Sequence, residues 1–181
     1  MSFRVGVPHI KGEIRAARAA NYSFNKALND LIDNVIYKCS QINISVDLNE
    51  NNELNRLSIH DNYTNGFENI NEVNEKNPFN FAHMRSGHND DQETSEFGKG
   101  MKYASMFLGE TLTVYTKIKN NNGFQYLKIM FDFRDMSKSL NAIDSYEPSY
   151  AGEISEGEYK KFHVGANNSV LDYGSTIIID V

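Results

Sequence analysis

The sequence predicts an α+β fold, a two-layer sandwich in which a mixed, mostly antiparallel sheet is covered by helices on one face. Three observations predict this class. Residues 23–38 carry apolar side chains at steps of three and four, which gives a helix one face to bury. Short alternating runs lie between residues 42 and 133, and runs that adjoin in sequence pair as antiparallel strands. A glycine-rich turn at residues 97–102 starts a second helix.

Length and composition indicate one domain with a short arm. The chain has 181 residues, of which 40% are hydrophobic, and this is enough to close a sizeable core. We expect an N-terminal arm at residues 1–20 and the domain at residues 21–181. The net charge of −6 argues against a dedicated nucleic-acid surface, because phosphate contacts need a basic face.

The sequence carries no export or membrane signal that we recognise. Residues 1–10 include Arg4 but no apolar run typical of a signal peptide, and no segment is long enough to span a bilayer. The single cysteine, Cys39, fits a reducing compartment. We therefore expect an intracellular protein, cytoplasmic or nuclear.

The first elements are an arm and a long amphipathic helix. Residues 13–20 contain helix formers with little apolar periodicity, which indicates a surface helix or an arm. In residues 23–38 one side is apolar, and the other carries Asp30 and Asn34 four positions apart, so that a carboxylate and an amide oxygen lie one above the other. An amide oxygen is a neutral ligand that suits Mg²⁺. A solvated polar face is the alternative for this helix alone.

A hairpin follows the long helix. Residues 42–48 alternate, residues 50–53 form a polar turn, and residues 54–59 lead back along a second strand. That strand runs into Asp61 and a turn that contains Gly66, so a carboxylate is placed at the rim of the sheet. Residues 67–73 are predicted as a short helix.

The middle of the chain combines a long polar loop with a glycine-rich turn. Residues 75–96 are polar and irregular, and a loop of that length is either functional or disordered. It ends at residues 97–102, after which a short helix is predicted to end at Gly109. Glycines before a helix let backbone N–H groups approach an anion, which favours a phosphate cradle here.

The remaining segments complete the sheet. Residues 112–116 and 124–133 are predicted as strands joined by a hairpin turn at residues 120–123. Residues 134–158 look irregular and acidic, and we expect them to be a surface excursion. Residues 173–181 contain a β-branched run that is typical of a central strand.

Four separated motifs resemble those of the GHKL superfamily, the ATP-binding domains of gyrase, heat-shock chaperones, histidine kinases and MutL, which share the Bergerat fold. ALNDLIDN at residues 27–34 resembles the first motif, a helix in which an acidic residue precedes a Mg²⁺-binding asparagine by four positions. IHD at residues 59–61, followed by Gly66, resembles the second motif. FGKGMKYASMFLG at residues 97–109 resembles the third, and its tail is most similar to microrchidia (MORC) ATPases. GST at residues 174–176 resembles the fourth.

The resemblance implies a Mg-ATP site and a role for each matching residue. Asp30 would position the attacking water, Asn34 would hold Mg²⁺, and Asp61 would recognise adenine. An ionised Asp61 accepts the adenine amine, whereas it repels a guanine carbonyl. Arg85-Ser86-Gly87 in the long loop would form the far side of a lid. The other implied nucleotide contacts are Gly66, Ser86, Gly87, Gly98, Lys99, Gly100, Met101, Lys102, Ser175 and Thr176.

Two departures from the family pattern bear on function. Tyr63 stands where the second motif ordinarily has a glycine, and Gly66 comes one residue late, which implies an insertion or a reshaped adenine pocket. The acidic residue of the first motif is usually Glu and here is Asp30, one methylene shorter, so hydrolysis is predicted to be slow.

Relatives of this type usually receive a lysine from a following domain and dimerise when ATP closes the lid. We therefore expect slow ATP turnover that drives lid closure, or the N-terminal piece of a longer machine that forms a homodimer on ATP. The client, whether DNA, protein or another subunit, is left open. Two alternatives remain, a non-hydrolysing nucleotide-gated interaction module and a histidine-kinase-type phosphotransfer domain.

Overall fold

The fold is built on a six-stranded sheet in which every pairing is antiparallel. A computed structural model describes residues 9–19, 21–33, 35–70, 77–79, 100–121, 123–138, 147–165, 169 and 171–181. The strands are β1 (Ile42–Leu48), β2 (Leu54–Asp61), β3 (Thr111–Asn120), β4 (Gly123–Asp132), β5 (Tyr150–Glu153) and β6 (Ser175–Asp180). Their order across the sheet is β1-β2-β6-β3-β4-β5. The predicted α+β class is confirmed.

The last strand lies in the middle of the sheet, as predicted from its β-branched residues. β6 pairs with β2 on one side and with β3 on the other. Ile177, Ile178 and Ile179 are all buried, because both faces of a central strand are covered. This insertion brings the beginning of β6 next to the end of β2, where Asp61 lies.

Five helices accompany the strands within the described residues: α1 (Ile10–Ala19), α2 (Phe24–Ile32), α3 (Gly100–Leu108), α4 (Phe133–Met136) and α5 (Glu156–Phe162). α2 and α3 contribute Ala27, Leu31 and Ala104 to the main core, which they share with the inward residues of β2, β3, β4 and β6. α1 adds Ile10, Ile14 and Ala17 to the same core. The helices α1, α2, α3 and α4 therefore form the layer on one face of the sheet. The boundary between an arm and a domain at residue 20 stays a prediction.

A smaller cluster lies on the opposite face. Tyr159 of α5 packs with Tyr115 of β3 and Ile178 of β6, whose neighbours Ile177 and Ile179 face the main core. Because side chains alternate along a strand, α5 covers the face that the other helices leave open. The sequence did not predict this helix.

The long amphipathic helix is shorter than predicted. Ser23 caps it by accepting a hydrogen bond from the Lys26 N–H at 3.2 Å, and regular α-helix ends at Ile32 instead of continuing to residue 38. Residues 35–38 form turns. The apolar side chains are no longer buried there, since Ile36 is 46% exposed. A helix without a buried face is only weakly stabilised.

Two other predictions need correction. Residues 134–158 were expected to be irregular, but α4 ends within this segment, β5 extends the sheet from β4, and α5 begins there. The described residues 67–70 of the predicted short helix are bends and turns. The strands, the hairpin turn at residues 120–123 and the helix ending before Gly109 agree with the structure.

None of the helices found in the described residues has the length and apolar character that crossing a membrane requires.

Candidate functional site

Asp61 ends β2 and forms the centre of one half of the site. The residue is 3% exposed, and its Oδ1 accepts the backbone N–H groups of Tyr63 at 2.9 Å and Ser175 at 3.3 Å. Among the described residues, no donor reaches the other carboxylate oxygen, Oδ2. A buried carboxylate that is fixed through one oxygen presents the second to an external hydrogen-bond donor.

The environment of Asp61 changes its acidity. Burial raises the pKa of this carboxyl to about 6, and the two N–H donors offset part of the rise. The group is therefore ionised at neutral pH and becomes protonated in mildly acidic solution. An ionised carboxylate is an acceptor only, which suits an amine and opposes a carbonyl.

Thr116 of β3 links the strands beneath Asp61. Its Oγ1 lies 2.8 Å from the Ser175 hydroxyl and accepts the Phe67 N–H at 3.0 Å. The hydroxyl thus joins β3, β6 and the loop after Asp61 at one buried point. Thr116 was not predicted as a site residue, because its only signal in the sequence is a polar residue on an otherwise apolar strand face.

Two glycines allow close approach of the backbones around Asp61. Gly66 has a φ of +62°, and a Cβ there would overlap the Lys117 carbonyl oxygen and the Thr116 hydroxyl. Gly174 has a φ of +118°, and a Cβ there would overlap the Asp61 carbonyl oxygen. Only glycine adopts such angles without strain and leaves this space free.

The extra residue in the second motif is accommodated by a turn. The Gly66 N–H donates to the Tyr63 carbonyl at 3.1 Å, which closes the loop and returns Gly66 to β3. The Tyr63 side chain contacts Glu68 at 2.8 Å through its hydroxyl, and Lys38 lies over its ring. Tyr63 therefore acts on Asp61 through its backbone N–H.

Thr176, a predicted nucleotide contact, has its side chain on the opposite face of the sheet. Its Oγ1 lies 2.9 Å from Nδ1 of both His60 and His163. Burial lowers the pKa of His60, and it lowers the pKa of His163 to about 4, so both rings are neutral at physiological pH. The structure brings Ser175 to Asp61 and places the Thr176 hydroxyl in a separate buried network behind it.

Asp30 and the start of α3 form the other half of the site. Gly100 lies beside Asp30, and a Cβ on Gly100 would be in ordinary contact with the Asp30 Cβ at 3.4 Å. The Asp30 carboxylate accepts a hydrogen bond from the Tyr22 hydroxyl. Burial raises the pKa of Asp30, and the nearby Asp33 carboxylate raises it further. A carboxylate with a raised pKa beside a helix N-terminus can hold a bound water and accept a proton from it.

Two predicted phosphate contacts follow Gly100 on α3. Met101 and Lys102 are each 6% exposed and pack within the helix layer. Lys102 takes part in interactions with its surroundings. The role of Lys102 at a phosphate stays a prediction.

Hydrogen bonds to the Asn62 side chain tie the two halves together. The chain that follows α2 reaches Asn62, whose Oδ1 accepts the N–H groups of Ser40 and Gln41 at 3.0 Å each. Asn62 directly follows Asp61, so one short segment runs from the helix that carries Asp30 to the strand end that carries Asp61.

Several predicted site residues lie outside the described residues, namely Asn34, Ser86, Gly87, Gly98 and Lys99. In the part of the chain that the structure describes, no group of three or more His, Cys, Asp or Glu side chains could hold a metal ion. The prediction that Asn34 binds Mg²⁺ therefore concerns a residue whose placement is not described.

Comparison with protein families matches residues 22–157 to the family described as Histidine kinase-, DNA gyrase B-, and HSP90-like ATPase. The chain belongs to this family. Its open antiparallel sheet with helices agrees with the GHKL ATP-binding fold that the motifs predicted. No curated protein matches the chain.

Membership assigns ATP binding to this GHKL domain. The roles of Asp61 at the adenine and of Asp30 at the phosphates stay predictions.

Proposed function

We propose that this GHKL domain binds Mg-ATP and hydrolyses it slowly, as part of a MORC-like ATPase. The observation that carries the proposal is the geometry of Asp61, whose Oδ1 is held by two backbone donors while no donor among the described residues reaches Oδ2. The similarity of residues 97–109 to MORC sequences supports the finer assignment. Within this segment Gly109 packs against the Asp180 carbonyl oxygen, and a Cβ on Gly109 would overlap that oxygen.

Adenine selection follows from the charge of Asp61. Its ionised carboxylate would accept the exocyclic amine through Oδ2, and the same oxygen would repel the carbonyl that guanine presents at this position. Gly66 keeps the loop after Asp61 close to Lys117 and Thr116 of β3. Beneath the carboxylate, the hydroxyl groups of Ser175 and Thr116 lie 2.8 Å apart and link β6 to β3.

The phosphates would lie toward α3. Backbone N–H groups of residues 98–102, including the described Gly100, would donate to phosphate oxygens, and Lys102 would add positive charge. Asn34 would hold Mg²⁺ through its side-chain oxygen, and the ion would neutralise charge on the phosphates. Ser86, Gly87 and Lys99 belong to the proposed lid and cradle.

Hydrolysis would use Asp30. The carboxylate orients a water and accepts its proton while the water oxygen forms a bond to the γ-phosphorus. The bond from phosphorus to the bridging oxygen breaks, and ADP leaves with that electron pair. Catalysis of this kind depends on positioning and on stabilisation of charge. Asp30 is shorter than the usual glutamate, which is consistent with slow turnover.

Lid closure and dimerisation on ATP binding are part of the same proposal. The long loop at residues 75–96 would close over the nucleotide, and a homodimer or a further domain would supply a lysine. A non-hydrolysing, nucleotide-gated interaction module is the second candidate, and the short Asp30 side chain is the observation that favours it.

Two measurements separate these functions. Isothermal titration with Mg-ATP is expected to show binding by the unaltered chain and by Asp47→Ala, an exposed carboxylate on β1, and a loss of affinity of about 10- to 100-fold in Asp61→Ala. Equal affinity in Asp61→Ala and Asp47→Ala would refute the adenine assignment.

Phosphate release tests the chemistry. Asp30→Asn is expected to bind ATP within a few-fold of the unaltered chain and to release phosphate about 100-fold more slowly. Asp47→Asn is the matched control and should release phosphate at the unaltered rate. Tight binding with no release in the unaltered chain would favour the interaction module.

A further inference from the structure

Tyr22 lies immediately before the cap of α2 and reaches the carboxylate of Asp30. Its hydroxyl donates a hydrogen bond to Asp30 Oδ2. Tyr22 and Asp30 are separated by about two helical turns, so this contact runs along one side of α2. The sequence analysis did not single out Tyr22.

The Tyr22 ring is itself held by its neighbours. Phe107 of α3 meets it edge-on, with ring centroids 5.3 Å apart and planes at 84°. The ammonium of Lys26, a residue of α2, lies 5.0 Å from the centroid of the Tyr22 ring. The ring is part of the contact between α2 and α3, so its hydroxyl has a defined position.

The hydrogen bond restricts the Asp30 carboxylate. The terminal torsion of an aspartate is broad, so an unrestrained carboxylate samples many orientations. A donor on Oδ2 fixes the plane of the group and thereby the direction in which Oδ1 points. This matters at a general base, because small errors in position reduce the rate strongly.

We propose that Tyr22 is a positioning residue for ATP hydrolysis, which fixes the orientation of the Asp30 carboxylate that activates the attacking water. This inference rests on the proposed function of Asp30. The Tyr22 hydroxyl also favours the ionised carboxylate, because it donates to the charged form. It thereby opposes the effects of burial and of Asp33, which both favour the protonated form.

The test is Tyr22→Phe, which keeps the ring against Phe107 and removes only the hydroxyl. Its matched control is Tyr37→Phe, since the Tyr37 side chain is 78% exposed. Steady-state phosphate release is measured across pH for both variants, together with ATP affinity. Tyr22→Phe is expected to lower kcat about tenfold or more, with KM and the ATP Kd changed by less than about threefold. Tyr37→Phe should match the unaltered chain.

The pH profile distinguishes positioning from a purely structural role. Without the hydroxyl the ionised carboxylate loses a donor, so the acidic limb of the kcat profile is expected to move to higher pH. In the Asp30→Asn background, Tyr22→Phe should cause no further loss, because a residue that acts through Asp30 has nothing left to orient.

The outcomes separate this inference from the function on which it rests. If Asp30→Asn slows phosphate release but Tyr22→Phe leaves kcat and its pH profile unchanged, the role of Tyr22 is refuted and that of Asp30 stands. If Tyr22→Phe weakens ATP binding in proportion to its loss of kcat/KM, Tyr22 is structural. If Asp30→Asn does not slow release, both proposals are wrong.

Discussion

The two halves of the site are constructed differently. Around Asp61 the contacts are made by two backbone N–H groups and by the paired hydroxyls of Thr116 and Ser175, and Asp61, Thr116 and Ser175 are almost fully buried. Around Asp30 the contact with Tyr22 is a side-chain hydrogen bond at the end of a helix, and the carboxylate is half-buried. The proposed adenine side is thus fixed by strand register, whereas the proposed hydrolytic side depends on how α2 and α3 meet.

This difference separates binding from turnover. Strand pairing places Asp61 beside Ser175, so the group proposed to recognise the base is held in position by the sheet. The Asp30 carboxylate has the Tyr22 phenol among its partners, and Gly100 of α3 lies beside it. Changes on the sheet side should alter nucleotide affinity, and changes on the helix side should alter the rate of hydrolysis.

The largest effect is expected for Asp61→Asn, which keeps the shape of the side chain. The amide oxygen can still accept from Tyr63 and Ser175, but the amide nitrogen then faces the adenine amine, donor against donor. ATP affinity should fall about 100-fold, while GTP, which presents a carbonyl, should lose far less. Titration with both nucleotides measures the ratio. An unchanged preference for ATP would show that Asp61 does not read the base.

Gly66→Ala should damage the adenine side through its backbone. Holding a non-glycine residue at the φ of +62° costs about 1–3 kcal/mol, and the added Cβ would overlap Lys117 and Thr116. We expect a lower free energy of unfolding in urea and weaker ATP binding. Gly123→Ala is the control, since it also has positive φ but its Cβ meets open space. Equal loss of ATP affinity in the two variants would contradict the close-approach argument.

ATP affinity should depend on pH through Asp61. The pKa of this carboxyl is raised to about 6, so its protonated form accumulates as pH falls, and that form is a poor acceptor for the adenine amine. At pH 5 only about a tenth of the groups are ionised, and affinity should be about tenfold weaker than at pH 7.5.

The pH effect must be separated from titration of ATP itself. Asp61→Asn is the control, because it meets the same nucleotide charge but lacks the titrating carboxyl. The ratio of the affinity of the unaltered chain to that of Asp61→Asn should therefore fall between pH 7.5 and pH 5. A constant ratio would mean that Asp61 stays in one protonation state over this range.

Much of the sheet could be predicted because its residues follow a simple period. β1 and β2 alternate and are joined by a polar turn, and β6 is a β-branched run, so both existence and type of these strands were readable. The position of Asp61 could be predicted for the same reason, because this residue stands where the alternating pattern of β2 ends. Its role came from the motif, whereas its burial and partners came only from the structure.

The missed features depend on contacts between distant segments. Thr116 and Tyr22 look like ordinary strand and loop residues until β6 and α3 are placed beside them. Thr176 was grouped with Ser175 by the motif, but adjacent residues of a strand point to opposite faces, and its hydroxyl joins His163 instead. α5 escaped prediction because its seven residues carry few apolar side chains, and packing of Tyr159 stabilises it.

The smallest effect is expected for Gly100→Ala, and it is the matched counterpart of Gly66→Ala on the helix side. Gly100 does not have positive φ, and its added Cβ would lie 3.4 Å from the Asp30 Cβ, an ordinary contact. Alanine is the better helix former by about 1 kcal/mol or less at a helix end, so unfolding in urea should shift slightly toward higher stability. ATP affinity should stay within about threefold, because the Gly100 N–H remains. A loss as large as that of Gly66→Ala would show that the helix side is as tightly constrained as the strand side, and the separation of binding from turnover would then fail.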